Sequence, residues 1–230
     1  MPKREELEAT ARARADYHSA MIMEEKLYLE YQAKIKEVSQ HGMLSALNEL
    51  QRNESSWYYE PIIGTMSISN RHATFIKTCD SIKKIFNDIS VTGGLQNYRH
   101  FICSCSVTAK AVGIIILSPA KSNLSDNDVD QISFIVTYPN GYGYGGLLIQ
   151  HVINISLTLG HQGILEVKAE RDAEIFYQKL GFVVINDDFF DLKPMKLTPA
   201  DSNKWHQING EYQLKRIPRP HNSSWRCHLL

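Results

Sequence analysis

QISFIVTYPNGYGYGG, residues 131–146, is the stretch on which the reading of this chain turns. Gln131 to Thr137 is β-branched and aromatic, the composition of a strand. Tyr138-Pro139-Asn140 stops it, and Gly141-Tyr142-Gly143-Tyr144-Gly145-Gly146 follows directly. Leu148, Val152, Ile155 and Leu159 then recur at helical spacing, and Gly160 and Gly163 bracket the exit from that helix. Ile164-Leu165-Glu166-Val167 reads as a second strand. Ala173, Phe176, Tyr177 and Leu180 line one face of a second helix, which Gly181 ends.

A strand that runs into glycines at a helix start builds an anion site. The first N–H groups of a helix lack internal partners, and the macrodipole places partial positive charge there. Glycine lets the backbone approach a phosphate closely. The fragment therefore predicts a pyrophosphate-bearing ligand, and two patterns compete for it. Gly141, Gly143 and Gly146 satisfy the dinucleotide fingerprint G-x-G-x-x-G, with Glu166 twenty residues beyond Gly146. Asn140 to Gly145 also approximates Q/R-x-x-G-x-G/A, with asparagine in place of glutamine or arginine. The glycines alone do not choose between them.

The next motif does. Ala173-Glu174-Ile175-Phe176-Tyr177-Gln178-Lys179-Leu180-Gly181-Phe182 follows A-x-x-F-Y-x-x-L-G-F. A dinucleotide domain would need several further βα units, whereas the residues after Phe182 carry strand, proline and tail signals. Together the two motifs resemble the GNAT superfamily of acetyl-CoA-dependent N-acetyltransferases, over about residues 60–198. The resemblance implies an α/β fold whose central sheet is mixed and mostly antiparallel, with about six or seven strands flanked by helices. It also implies transfer of acetyl from acetyl-CoA to a primary amine, on a small molecule, peptide or protein, by direct attack in a ternary complex. No metal is implied.

Carried onto this chain residue by residue, the resemblance assigns the pantetheine arm and the thioester carbonyl to main-chain groups of Ile135, Val136 and Thr137. The pyrophosphate goes to Asn140, Gly141, Tyr142, Gly143, Tyr144, Gly145 and Gly146. Glu170, Ala173 and Phe176 stand beside the cofactor, with Glu170 where the family often has asparagine. Tyr177 matches the position of the general acid that protonates the departing thiolate; a phenol near pKa ~10 donates to a thiolate whose conjugate acid is near ~8.5. The competing reading is that Tyr177 only completes an apolar helix face. Asp130 and Glu166 are the candidate bases for the incoming ammonium. His151 reads as a core-edge histidine. The departures at Asn140 and Glu170 keep a second reading open, a catalytically weak or inactive acyl-CoA-binding sensor or scaffold. A nucleotide-dependent oxidoreductase stands third.

Composition narrows the class. Among 230 residues, Lys plus Arg equals Asp plus Glu at 25 each, which argues against a dedicated nucleic-acid binder. No apolar run approaches a membrane span. Residues 1–16 are dense in both charge signs, unlike a secretory signal, so a cytoplasmic, reducing setting is expected and the N-x-S sequons, including Asn154, are read as chance. Cys79, Cys103, Cys105 and Cys227 lack metal-ligand spacing and read as free thiols.

The expected organisation is a helical extension over 1–55, the transferase domain over 60–198 and a basic, tryptophan-containing tail over 199–230. Residues 3 to about 40 lack proline and glycine and read as one long helix, with Tyr17, Met21, Tyr28, Tyr31, Ile35 and Val38 on a heptad seam for packing back on the domain or for a homodimer. A helix is expected near Met43 to Leu50, a short strand near Ile62 to Ile68, and a helix carrying Phe75, Cys79, Ile82 and Phe86. Phe101, Cys103, Cys105 and Val107 alternate as a strand that turns at Ala109-Lys110 into Val112 to Leu117. Asp126, Asp128 and Asp130 make an acidic loop suited to a cationic acceptor. Val183 and the segment from Phe189 to Leu197 should close the sheet as a hairpin. From Lys193 onward seven Lys and Arg face two acids, with Trp205 and Trp225 interleaved, and this tail reads as a solvated one packed by its tryptophans, with contact to an acidic partner or nucleic acid as the competing reading. Cys227-His228-Leu229-Leu230 only loosely matches a prenylation box.

Overall fold

The structure, a computed structural model, describes residues 33–52, 65–92, 98–106, 108–120, 129–138, 143–186 and 192–215, with side chains of the second segment described over 72–86. Seven strands form one sheet: β1 (Ala33–Val38), β2 (Arg99–Cys105), β3 (Ala111–Ser118), β4 (Asp130–Thr137), β5 (Leu165–Glu170), β6 (Val183–Val184) and β7 (Leu192–Leu197). Their order is β1-β2-β3-β4-β5-β7-β6. Every neighbouring pair is antiparallel except β4 and β5, which run parallel. The mixed, mostly antiparallel sheet flanked by helices is thus the expected architecture.

Four helices cover the sheet: α1 (Gln40–Arg52), α2 (Thr65–Thr92), α3 (Tyr144–Thr158) and α4 (Glu174–Lys179). On one face, Met43, Leu47 and Leu50 of α1 and Phe75, Cys79, Ile82 and Phe86 of α2 pack on Ile102, Ile114, Ile116 and Val136. On the other, Leu148, Ile149, Val152 and Ile153 of α3 cover Phe101, Cys103, Ile115, Leu165, Val167 and Met195. β3 is buried along nearly its whole length because both its faces are covered, so its alternate residues are all small or apolar. Gly113 is required there: a Cβ would lie 3.0 Å from both Leu148 Cδ1 and Thr137 Cγ2, so its absence lets α3 settle onto the sheet. The three described cysteines are buried free thiols, and burial pushes Cys103 up to about 12, which makes it unreactive.

Three expectations are corrected. Residues 33–38, assigned to a long helix, form the edge strand β1, with Ile35 opposite Cys103 and Val38 opposite His100. Ile35 and Val38 share a face in a helix but point to opposite faces in a strand, and each finds its own apolar layer. Pairing with β2 decided between two periods that so short a run permits. With α1 packed on β2 and β3, residues 33–52 belong to the main body; the seam residues Tyr17, Met21, Tyr28 and Tyr31 lie outside the described residues. Second, Thr65–Ile68 is helix rather than strand, the opening of α2. Third, part of the tail is built: β8 (Trp205–Ile208) and β9 (Glu211–Leu214) form a hairpin against α3. Asn154 on α3 donates to Tyr212 O and accepts from Tyr212 N–H, so this sequon asparagine is a structural tie. Trp205 is buried, and its indole Nε1 donates to Leu180 O at 2.7 Å, which anchors the end of α4. Trp225, Cys227 and the acids Asp126 and Asp128 lie outside the described residues.

Candidate active site

β4 and β5 separate. Their register is Asp130 with Leu165, Gln131 with Glu166 and Ile132 with Val167, and there it ends. A bulge makes Ser133 an extra residue: Ile116 pairs with Phe134 while Leu117 pairs with Ile132. Bulges sharpen local twist and bend the strand that carries them. Beyond this point β4 follows β3 up to Thr137, and β5 follows β7 up to Glu170. The edge of Phe134–Thr137 turned toward β5 therefore has no strand partner among the described residues.

The end of β4 delivers the chain to α3. Gly143 is the N-cap in the left-handed region, φ 83°, and no side chain caps the helix or puts an acid in its first turn. Among the described residues the leading N–H groups thus lack both intrahelical partners and a covering carboxylate. A Cβ on Gly145 would meet the Phe176 ring at 2.9 Å, so the glycine admits the ring that joins α4 to the start of α3. This bare, glycine-built helix start beside an open strand edge fits the pyrophosphate and pantetheine of acetyl-CoA. Asn140, Gly141 and Tyr142 lie outside the described residues.

Tyr177 is 4% exposed, with Phe176 and Phe182 packed edge-on at 5.0 and 5.2 Å. Burial, and then the charge of Glu170, push its pKa above the ordinary phenol range. The phenol is thereby kept as a hydroxyl, a donor rather than a base. Ala173 is half-buried beside Phe176. Glu170 ends β5 and pairs with Lys77 of α2 at 3.5 Å.

The two candidate bases are neighbours in register but emerge on opposite faces. Asp130 is fully buried on the α3 side. Its Oδ1 accepts from Ala120 N–H at 2.8 Å and lies 2.9 Å from His161 Nδ1, while Oδ2 has no hydrogen-bond partner among the described residues. Glu166 is partly exposed on the opposite face, shared with Glu170, and meets Lys196 Nζ at 3.4 Å. His151 packs edge-on against Phe101 at 4.9 Å, and burial lowers its pKa. His161, Lys77 and Lys196 were not foreseen. Each meets its acid only through tertiary structure, and nothing in local spacing marks them.

No family model matches the chain, and no curated protein matches it. The chain is similar to solved N-acetyltransferase structures. With the PaiA N-acetyltransferase of Thermoplasma acidophilum, in complex with coenzyme A, it shares 18% identity at a TM-score of 0.45, over 71% of this chain and 97% of that one. With the spermidine N-acetyltransferase of Vibrio cholerae, in complex with CoA and spermine, the values are 17%, 0.45, 73% and 95%. A Desulfovibrio desulfuricans protein assigned to the GNAT family of acetyltransferases gives 13%, 0.47, 72% and 98%.

Proposed function

We propose that the chain is an N-acetyltransferase that moves acetyl from acetyl-CoA to a primary amine in a ternary complex. The observation that carries this reading is the opening of β4 from β5 after Ile132 and Val167, directly beside a helix that starts on bare glycines. The N–H groups of Gly143 to Gly146, continued by Asn140, Gly141 and Tyr142, hold the pyrophosphate. Main-chain groups of Ile135, Val136 and Thr137 run alongside the pantetheine and polarise the thioester carbonyl. Acetyl-CoA supplies an acyl group already activated as a thioester. The amine lone pair forms the new C–N bond, the C–S bond breaks, and the amine gives up a proton. Tyr177 donates to the departing sulfur, and burial, which keeps it a hydroxyl, suits it to that role.

We assign the base to Glu166 rather than Asp130. Glu166 is partly exposed and lies one residue before the last position at which β5 pairs with β4. Asp130 is enclosed, and one of its oxygens is held by Ala120 and His161. A second reading, acyl-CoA binding without transfer, draws support from the depth of Tyr177 and from the engagement of Glu170 by Lys77. Calorimetric titration with acetyl-CoA, CoA and NAD, followed by thiol release with a panel of amines, separates these possibilities. Acetyl-CoA binding with amine-dependent thiol release is the expected result. Binding without release would favour the sensor, and a preference for NAD would sink both.

A further inference from the structure

Beside the strand opening, on the face covered by α2, lies an apolar hollow lined by Ile82, Ile85, Phe86, Tyr98, Ile116 and Phe134. Phe134 links the two features, since it lines the hollow and also belongs to the stretch of β4 that has left β5. The hollow is shallow, about 30 Å³, and takes the end of a stem rather than a large ring system. Ile85, 37% exposed, forms part of its rim. His100 lies in register between Val38 and Ile116 and packs edge-on against Phe86, and the hollow itself is lined by no acid, lysine or arginine among the described residues.

Among the described residues, lysines outnumber acids on the same side of β5 and β7. The described residues there are Glu166, Lys168, Glu170 and Lys196, with Lys77 reaching over from α2, and both acids are ion-paired to lysines. A polyamine needs spare carboxylates along its length, and these two acids are engaged. From this juxtaposition we infer that the acceptor is a monoamine on an apolar stem, its stem seated in the hollow and its nitrogen at the strand opening. The inference rests on the acetyl-transfer reading. Apolar walls and neighbouring lysines both disfavour an ammonium, which leaves more of the amine as the free base that attacks.

The test is thiol release with acetyl-CoA and hexylamine, phenethylamine, ethylamine, spermidine or a lysine peptide, for the full chain and for Ile85→Lys. Hexylamine and phenethylamine should exceed ethylamine and spermidine in kcat/KM by roughly tenfold or more, and Ile85→Lys should remove about tenfold of that preference, as pocket methylenes do. Acetyl-CoA affinity measured on the same variant reports whether it has folded. Highest activity on spermidine or the lysine peptide, or a preference untouched by Ile85→Lys, would overturn the acceptor class and leave acetyl transfer standing. Acetyl-CoA binding with no release from any amine would overturn both.

Discussion

The two halves of the sheet are built to different rules. β2, β3 and β4 are covered on both faces, by α1 and α2 on one side and α3 on the other. Among the described residues, β5 is packed by apolar side chains on the α3 side alone. Leu165, Val167 and Ala169 face that core, while Glu166, Lys168 and Glu170 face away from it. The boundary between the halves is the only parallel pairing among the described residues, and it holds for three residue pairs before the strands part. A closed, apolar half gives the rigid wall, and a half-open, charged one gives room for groups that exchange protons. The proposed acetyl transfer sits at the seam, where a dry core lies within reach of ionisable side chains.

Tyr177 tests the seam most sharply. If it donates to the leaving sulfur, Tyr177→Phe should lower turnover by roughly 10²–10⁴. Phenylalanine keeps the edge-on packing with Phe176 and Phe182, so melting temperature and acetyl-CoA affinity should change little. Steady-state thiol release and calorimetry on one preparation measure all three. Turnover equal to the parent's would return Tyr177 to the closed half as an ordinary core residue. Because burial and Glu170 hold the phenol above its ordinary range, Tyr177 should cause no loss of turnover as pH rises toward ~10.

Asp130 and Glu166 contrast the two faces directly. Glu166→Gln should lower turnover by about 10² or more with the fold intact, since it removes a proton acceptor and only a partly exposed ion pair. Asp130→Asn should do the opposite. It weakens charge-assisted bonds to His161 and Ala120 and should cost about 1.5–3 kcal/mol, while turnover in the cold stays within a few-fold. Urea denaturation and kinetics on the pair of variants decide the matter. If Asp130→Asn is stable and inactive while Glu166→Gln is active, the base works from the α3 face.

Legibility in the sequence followed the same divide. The run from Gln131 to Gly181 spells out β4, α3, β5 and α4 because its apolar periods are clear and Gly143, Gly160, Gly163 and Gly181, all at positive φ, mark the breaks between them. The alternation of Leu165 to Glu170 likewise records which face of β5 is covered. What escaped lies where periods are short or partners distant. Ala33–Val38 suits a helix or a strand equally until β2 offers its edge. The β8–β9 hairpin depends on Asn154 and Leu180, fifty-eight and twenty-five residues from the groups they hold. The separation of β4 from β5 is a property of two strands at once, so the bulge at Ser133 has no local signature in the sequence.

The smallest expected effect separates the halves by acid. His100 and His151 both lie in the doubly covered half, against Phe86 and Phe101, and burial lowers the pKa of each, with Arg99 adding to the effect on His151 and Glu37 opposing it. In the unfolded chain both titrate near ~6.5. As pH falls through that value the unfolded state takes up protons that the folded state refuses, so stability falls with pH. Glu37 acts lower down: its hydrogen bond with Arg99 depresses its pKa, so its contribution is present above the ordinary glutamate range and is lost below it. Melting temperature should therefore decline in two stages, first from about pH 6.5 and again below about pH 4.3. His151→Phe keeps an aromatic ring on Phe101 and should flatten the first stage while leaving the second. An unchanged first stage would move that proton uptake away from the closed half of the sheet.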